Sequence, residues 1–530
     1  KDQSLGDYAF PCFVLAKTRK KNPVEIAKDL ARFMKLPQEL ETVSAVGPYL
    51  NFFINQKAHA AELIAMINKQ GKNYGSSTMG KGKKFMVEFS QPNTHKAFHV
   101  GHIRGTSLGE SIARIQEFSG YTVVRANYSG DTGMHIAKWM WAYQTFHKGE
   151  HVRDDEAWFA KIYVEAVQKL EHDERAQEKV KEINRKLEER ADTKLVKLWK
   201  DTRARSIKAW KPIYHDLDVR FNVHFFESEV DRPGKEIAQK LVKKGVAVIS
   251  EGATIMDFKE DGLGVFVLLR SDGTVLYSAK DLALAELKFK KYTLQESLVI
   301  TSVEQNLHFQ QVRKTLERMG FPWKNYLHKG YESVRLPTGK MSSRTGDNVF
   351  YADFKHELVS EAKREIMQRE KVNSKELEKR ALAIALAAMK YTMLKQDLNK
   401  VIIFNKDEAV RFEGDTGPYL LYSYARAQSI LRKVNKTKKL TIGSVSDHER
   451  VLLNQLSRFP EVVAQAQESL DPAVIAHYAY GVAQTFNEFY HACKVVGSEE
   501  ESFRVALVKA SAQTLANALH LLGIGVIERM

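Results

Sequence analysis

Apolar and polar positions change period repeatedly along this 530-residue chain, and each change marks an element. Residues 1 to about 76 set short apolar runs, Phe10 to Leu15 and Tyr49 to Ile54, around a helical stretch from Pro23 to Met34, which predicts a small α+β domain. Gly71 to Lys84, rich in Gly, Ser and Lys, predicts a linker. Phe85 to Phe89 then reads as a short strand, a polar loop runs to about His99, helical spacing extends from Ile103 through Phe118, and Thr122 to Ala126 reads as a second strand. This is a βαβ unit. Such units build parallel sheets whose ligands sit beyond the carboxyl ends of the strands, where the loop from Ser90 to Val100 falls. From Asp154 to about Leu217, Glu, Lys and Arg recur at helical spacing around Trp158, Tyr163, Leu170, Leu187, Leu195 and Trp199, the pattern of a helical insertion. Strand-like runs at Val246 to Ser250, Val265 to Leu269, Leu298 to Thr301 and Val334 to Leu336 predict that the α/β domain resumes. Beyond about residue 374 the period is helical almost throughout, including Glu376 to Leu398 and Gly417 to Val434. The predicted class is α/β. It divides into a small domain at 1–76, an α/β domain at 77–350 with a helical insertion at about 151–217, connecting helices at 351–411 and an all-α bundle at 412–530.

A chain of this length exceeds what one core can serve, since single cores stop growing at roughly 250 to 300 residues. Hydrophobic residues make up 44% and charged residues 28%, an ordinary globular balance that argues against disorder. Lys and Arg total 81 against 65 Asp and Glu, a net charge of +16 that suits a polyanionic partner; RNA, DNA and an anionic membrane all satisfy it. The longest apolar stretches, such as Leu382 to Met389, fall short of the roughly 20 residues that span a bilayer. The N-terminal residues lack the charged start and apolar run of a secretory signal, which leads to the expectation of a cytosolic chain. Two cysteines, Cys12 and Cys493, can build neither a disulfide framework nor a four-thiolate zinc site.

The chemistry concentrates in two loops. Ser90-Gln91-Pro92-Asn93-Thr94-His95-Lys96-Ala97-Phe98-His99-Val100-Gly101-His102 leads from the first strand of the βαβ unit into its helix. A helix N-terminus attracts phosphate, Gly101 lets a flat base approach the backbone, and His99 and His102 can donate hydrogen bonds to phosphate oxygens. Paired histidines are also metal ligands or satisfied structural groups, but here no glutamate follows His95 in the metalloprotease pattern and no cysteine is near. The second loop, Gly339-Lys340-Met341-Ser342-Ser343-Arg344-Thr345-Gly346, offers cations and hydroxyls between glycines, as a loop that closes on a triphosphate would and as a solvated surface loop also does.

Together the two loops resemble the HIGH and KMSKS motifs of class I aminoacyl-tRNA synthetases. Within that class the chain is most similar to arginyl-tRNA synthetases, through Val87 to Thr106, Asn127-Tyr128-Ser129-Gly130-Asp131-Thr132-Gly133, Tyr277-Ser278-Ala279-Lys280-Asp281, Gln305-Asn306-Leu307-His308 and the run Gly417 to Arg426, in that order over essentially the whole chain. The resemblance implies a Rossmann-type catalytic domain, an N-terminal domain touching the tRNA elbow, stem-contacting helices and a C-terminal anticodon-binding bundle. It implies that the carboxylate of arginine attacks the α-phosphate of ATP, with Mg²⁺ carried on the triphosphate, and that a terminal ribose hydroxyl of tRNA(Arg) then takes the arginyl group. His99, Gly101, His102, Lys96, Lys340, Met341, Ser342 and Ser343 would serve ATP. Ser343 stands where the motif has its second lysine, and Lys96 occupies the place from which a lysine is thought to supply the missing charge. Glu88 and Asp281 would hold the guanidinium, because carboxylates match its fork of donors. Tyr277 would pack on it or hydrogen-bond it, and Gln91, Asn93 and Gln305 would orient the α-groups; for Asp281 a helix N-cap before Leu282 is the structural alternative. Gln91 replaces a common serine.

For tRNA the resemblance offers Glu227, beside Ser228 at the end of an element in which Phe226 replaces a glycine, together with Tyr419, Tyr422 and Arg426 in the bundle and Lys20 in the basic run Lys17, Arg19, Lys20, Lys21. Tyr419, Tyr422 and Tyr424 cannot share one helical face, so at least one is expected at the surface or a groove. No protein-held metal, no DNA and no membrane are expected, and the chain is expected to act as a monomer. Rival readings are a cysteinyl-tRNA synthetase, which would need zinc-binding cysteines, a catalytically silent tRNA-binding protein, and a nucleotidyltransferase with the same histidine motif.

Overall fold

The computed structural model describes residues 5–335, 337, 350–434 and 439–530. At the N-terminus β1 (Tyr8–Pro11), α1 (Phe13–Arg19), α2 (Pro23–Phe33), β2 (Leu40–Val46) and β3 (Tyr49–Ile54) form a unit in which an antiparallel sheet of order β1-β3-β2 packs on α2. The run Phe10 to Leu15, read as one apolar stretch, is split: the strand ends at Pro11, which has no N–H for the ladder, and Cys12 already has helical dihedrals. Asn22 caps α2 by accepting from Val24 N at 2.9 Å, and Pro23 occupies the first helical position, where its missing N–H costs nothing. Helix α3 (Gln56–Gln70) leaves this unit and contributes Ala60, Leu63, Ile64 and Ile67 to the main core.

The catalytic layer begins with β4 (Lys84–Glu88), α4 (Val100–Phe118), β5 (Thr122–Ser129) and α5 (Met134–Phe146). Four helices follow, α6 (Glu156–Leu170), α7 (Glu174–Glu188), α8 (Thr193–Ala209) and α9 (Lys211–Asp216), and then β6 (Val223–Phe226) and α10 (Glu227–Lys243). After β7 (Val248–Ser250), β8 (Ala253–Phe258) and β9 (Gly264–Leu269) come α11 (Tyr277–Tyr292), β10 (Glu296–Ser302), α12 (Asn306–Arg318), β11 (Tyr326–Tyr331) and β12 (Val334–Arg335). A five-stranded parallel sheet has the order β11-β10-β4-β5-β6. Its strand order reverses between β4 and β10, and a crevice opens at such a switch point. Phe85, Met86 and Val87 of β4 are buried without alternation, because helices cover both faces.

Not every apolar run joins this sheet. Val246 to Ser250 and Val265 to Leu269 contribute β7 and β9 to a separate antiparallel sheet of order β7-β8-β9, and β12 pairs in parallel with β13 (Ile402–Ile403). The strands that complete the parallel sheet are its edges, β6 and β11, which mix His224, His328 and Lys329 with apolar residues.

The C-terminal helices are α13 (Tyr351–Arg369), α14 (Ser374–Leu394), the short α15 (Lys406–Ala409), α16 (Gly417–Arg432), α17 (Asp447–Ser457), α18 (Phe459–Ser469), α19 (Ala473–Ala492) and α20 (Glu501–Leu521). All but α15, whose Ala409 joins a neighbouring cluster, pack on α3 and α4 in one continuous apolar core. Polar anchors join the same parts: Ser111 donates to Leu521 O at 2.8 Å, and Arg114 Nη1 donates to His520 O at 3.2 Å. Among the described residues no helix is long and apolar enough to cross a membrane.

Candidate active site

The loop that leaves β4 bends sharply before α4. Ser90, Gln91 and His95 all have positive φ, 75°, 51° and 63°, a region that L-residues enter at a cost and that clusters at functional sites. Outside contacts hold it there. His95 N donates to Ser206 Oγ at 2.9 Å, His95 Nε2 lies 2.8 Å from Thr202 Oγ1, and Phe98 N donates to Glu156 Oε1 at 2.5 Å. All three partners belong to the helical insertion.

His99 is the N-cap of α4, and its backbone N donates to His102 Nδ1 at 3.1 Å. With Nδ1 accepting, a neutral His102 carries its proton on Nε2, free to donate. The two rings lie 3.9 Å apart with planes 30° from parallel, and a Cβ at position 101 would sit 3.0 Å from the His99 ring, so Gly101 makes room for the pair. Burial, reinforced by the Lys96 charge, lowers His99 to about 4; burial, then His99 and Lys96, hold His102 well below its ordinary value. Both imidazoles are neutral near pH 7. Lys96 lies over the Tyr163 ring at 5.1 Å and is half-buried.

Carboxylates gather on the other side. Glu88, at the end of β4, is buried, accepts from Gln91 Nε2 at 2.9 Å and is in ionic contact with the wholly buried Lys288 of α11. Asp281 Oδ2 lies 2.6 Å from His308 Nε2. Asp281 is in the second turn of α11, whose N-cap is Leu276, so the helix-cap alternative does not hold. Tyr277 begins the same helix and is 61% exposed. Between these groups the Tyr128 hydroxyl is buried without a hydrogen bond among the described residues. Burial first, then Asp281, Glu227, Glu88 and Asp231, keep it protonated. Asn93 faces the same space: a Cβ on Gly130 would come within 2.3 Å of Asn93 Oδ1 and 3.2 Å of Glu227 Oε1. Gln305 is exposed at the start of α12.

Glu227 opens α10, receives Thr132 Oγ1 at 3.3 Å and Lys280 Nζ at 3.4 Å, and is raised to about 7 by burial against the pull of Lys280. It lines a cavity of about 670 Å³ with Asp131, Tyr277, Lys280, Arg190 and Arg270. Asp131 is fully satisfied there by Arg203 at 2.6 Å and by Ser228 N and Oγ at 2.9 and 2.7 Å. Lys340, Met341, Ser342 and Ser343 lie outside the described residues.

Far from this crevice, Arg426 stacks over Tyr422 at 4.7 Å and Tyr490 at 4.9 Å and donates to Asn487 Oδ1 at 2.5 Å, while Asn487 Nδ2 donates to the Tyr419 hydroxyl at 3.0 Å. Tyr419, Tyr422 and Tyr424 are each half-buried. Lys20 is exposed, in the left-handed C-cap of α1, whereas its neighbour Lys21 pairs with Asp29 at 2.5 Å.

Sequence reading missed Tyr128, Lys288, His308, Lys280 and Glu156 as members of the site. Tyr128 and His308 lay within quoted motifs; Lys288 and Glu156 carried no signal beyond helical spacing.

A family model described as tRNA synthetases class I (R), catalytic domain, matches residues 63–405; a DALR anticodon binding domain matches 420–530, and an arginyl tRNA synthetase N terminal domain matches 1–54. The arginine–tRNA ligase of Bdellovibrio bacteriovorus is 37% identical over 544 residues, covering 99% of this chain and 92% of that protein. That of Clostridium acetobutylicum is 35% identical over 540 residues, covering 100% and 94%. The solved arginyl-tRNA synthetase of Thermus thermophilus superposes with a TM-score of 0.82 at 29% identity, covering 100% of this chain and 95% of that one.

Proposed function

The chain belongs to the class I arginine–tRNA ligases, and from that premise we propose how its own residues divide the work of joining arginine to tRNA with ATP. The guanidinium is held between Glu88 and Asp281. A carboxylate offers about four acceptor sites, so Asp281 can keep His308 on Oδ2 and bind substrate through Oδ1. Tyr277 covers the guanidinium from the open side, and Asn93, Gln91 and Gln305 orient the α-amino and carboxylate ends.

Across the crevice His102 Nε2–H and His99 donate to phosphate oxygens as neutral imidazoles, Gly101 admits the adenine, and Lys96 with Lys340 supplies positive charge beside Met341, Ser342 and Ser343. His99, His102 and Lys96 fit phosphate oxygens rather than a hard cation, so Mg²⁺ would be held by the triphosphate itself and would offset part of its charge. The arginine carboxylate attacks the α-phosphate, pyrophosphate leaves, and the terminal ribose hydroxyl of tRNA(Arg) then displaces AMP. Positioning and charge neutralisation carry the rate, with no covalent enzyme intermediate. Glu227 stands near the acceptor end, Tyr419, Tyr422 and Arg426 meet anticodon-loop bases, and Lys20 meets phosphate. The enzyme acts as a single chain in the cytosol, and the adenylate forms once tRNA is bound.

The observation that carries this reading is the convergence of Glu88, Asp281 and Glu227 on the buried Tyr128 hydroxyl, which has no hydrogen bond among the described residues. The test is exchange of labelled pyrophosphate into ATP, with each amino acid in turn and with or without tRNA. Exchange with arginine alone among them, once tRNA is added, is expected; a folded sample that exchanges with another amino acid, or with none, overturns the reading.

A further inference from the structure

One buried cation stands outside every role assigned above. Arg104, two residues past His102 on α4, is 0% exposed, and its partners are backbone carbonyls: Nη1 donates to Glu332 O at 2.5 Å and Lys400 O at 2.9 Å, and Nη2 to Asp397 O at 3.1 Å. Nε makes no hydrogen bond among the described residues, and burial lowers the group to about 10. A charge compensated mainly by neutral acceptors is an expensive way to fill a core, so the geometry it imposes is of interest.

That geometry concerns two segments. Glu332 leads into β12, and Asp397 and Lys400 lead from α14 into β13 and on toward the α16 bundle. The segments pair with each other, Glu332 N donating to Leu398 O at 2.8 Å and Ile402 N to Ser333 O at 3.1 Å. Next to Arg104, a Cβ on Gly105 would come within 2.5 Å of the Tyr331 hydroxyl, so only a glycine lets this strand lie so close to the helix. On the far side of residues 336–349, Phe350 bridges His99 and Tyr351 N donates to Phe98 O at 3.1 Å. The chain therefore enters and leaves the stretch containing Lys340 against the first turns of α4.

We infer that Arg104 is a positioning residue for the nucleotide step: through three backbone carbonyls it fixes the segment that leads into β12, and the connector toward the bundle, to the helix that carries His99 and His102. A planar guanidinium reaches three acceptors on two segments at once, which explains why arginine rather than an apolar residue fills the position. The inference rests on the functional reading above and deepens it.

The test uses the full chain with tRNA and compares Arg104→Met, Arg104→Lys and Gly105→Ala in arginine-dependent pyrophosphate exchange, alongside thermal unfolding. Arg104→Met is expected to lower kcat/KM for ATP at least about tenfold while KM for arginine stays within about twofold. Arg104→Lys, whose ammonium can still donate to carbonyls, should recover most of the loss. Gly105→Ala, which displaces Tyr331 without leaving a charge unpaired, should reproduce the ATP-selective loss, and it decides the matter if Arg104→Met does not fold. Unaltered ATP kinetics in folded variants, or a loss shared equally between ATP and arginine, would overturn the inference. Absence of exchange by the unaltered enzyme would instead overturn the functional reading.

Discussion

The wall of the crevice built from β4, α10 and α11 and the wall built from the Ser90–His99 loop and the first turn of α4 stand at one edge of one sheet, yet they hold charge in opposite ways. On the first, each carboxylate has a basic partner, Glu88 with Lys288, Asp281 with His308 and Glu227 with Lys280, and what is left unpaired is the neutral Tyr128 hydroxyl. On the second, the imidazoles are stripped of charge, His99 to about 4 and His102 well below its ordinary value, chiefly by burial with Lys96 adding to it. A cation site can therefore be built ready, its acids already holding basic partners that a guanidinium joins or replaces. On the proposed reading the phosphate side offers directional neutral donors and leaves charge neutralisation to lysines.

The largest expected effect tests whether Glu88 belongs to its wall as a pocket acid or only as the counterion of Lys288. Glu88→Gln strands a buried ammonium and should destabilise the chain by about 3–5 kcal/mol in urea unfolding. Adding Lys288→Met should restore stability while the arginine KM stays raised; a restored KM would reduce Glu88 to a structural part.

Next in size is an effect on the phosphate wall. Glu156, which holds Phe98 N, is raised from 4.5 to about 7 by burial, so the folded protein keeps this proton after the unfolded chain has lost it. Stability therefore falls as pH rises between those values and stays lower above them. Glu156→Gln keeps the acceptor and removes the titration. It should be more stable than the parent by on the order of 2 kcal/mol near pH 8 and equal to it at the acid end, as read by unfolding at both ends. Equal stabilities near pH 8 would show that the Phe98 hydrogen bond already offsets the burial.

How much of this was legible depends on the residue. The βαβ unit and its loop stood out because β4 and β5 are apolar runs joined to α4 by a change of period, and the long helices carry a sustained 3.6 spacing. The edge strands β6 and β11 did not, because half-solvated strands mix polar residues. The runs that became β7 and β9 were visible as strands, but not the sheet they would join, since pairing is tertiary. At the site, Glu88, Asp281 and the histidines were found through motifs. Lys288 and Glu156 carried no signal beyond helical spacing, because nothing local distinguishes a solvated lysine from one folded over a buried glutamate.

Smaller effects sharpen the contrast. Lys96→Ala should lower kcat for exchange at least about tenfold, worth about 1.4 kcal/mol, with little change in thermal stability; parental rates would remove Lys96 from the phosphate wall. Tyr277→Phe keeps the ring over the acidic pocket and loses one exposed hydroxyl, so arginine KM should rise only about threefold. A tenfold rise would mean that the hydroxyl, not the ring, makes the contact.

The most direct test of the divided crevice is the pair of Michaelis constants, for arginine and for ATP, measured on Asp281→Asn in the exchange assay with tRNA present. The account predicts that KM for arginine rises at least about tenfold while KM for ATP does not move. An unchanged KM for arginine, or a rise shared equally by ATP, would contradict it.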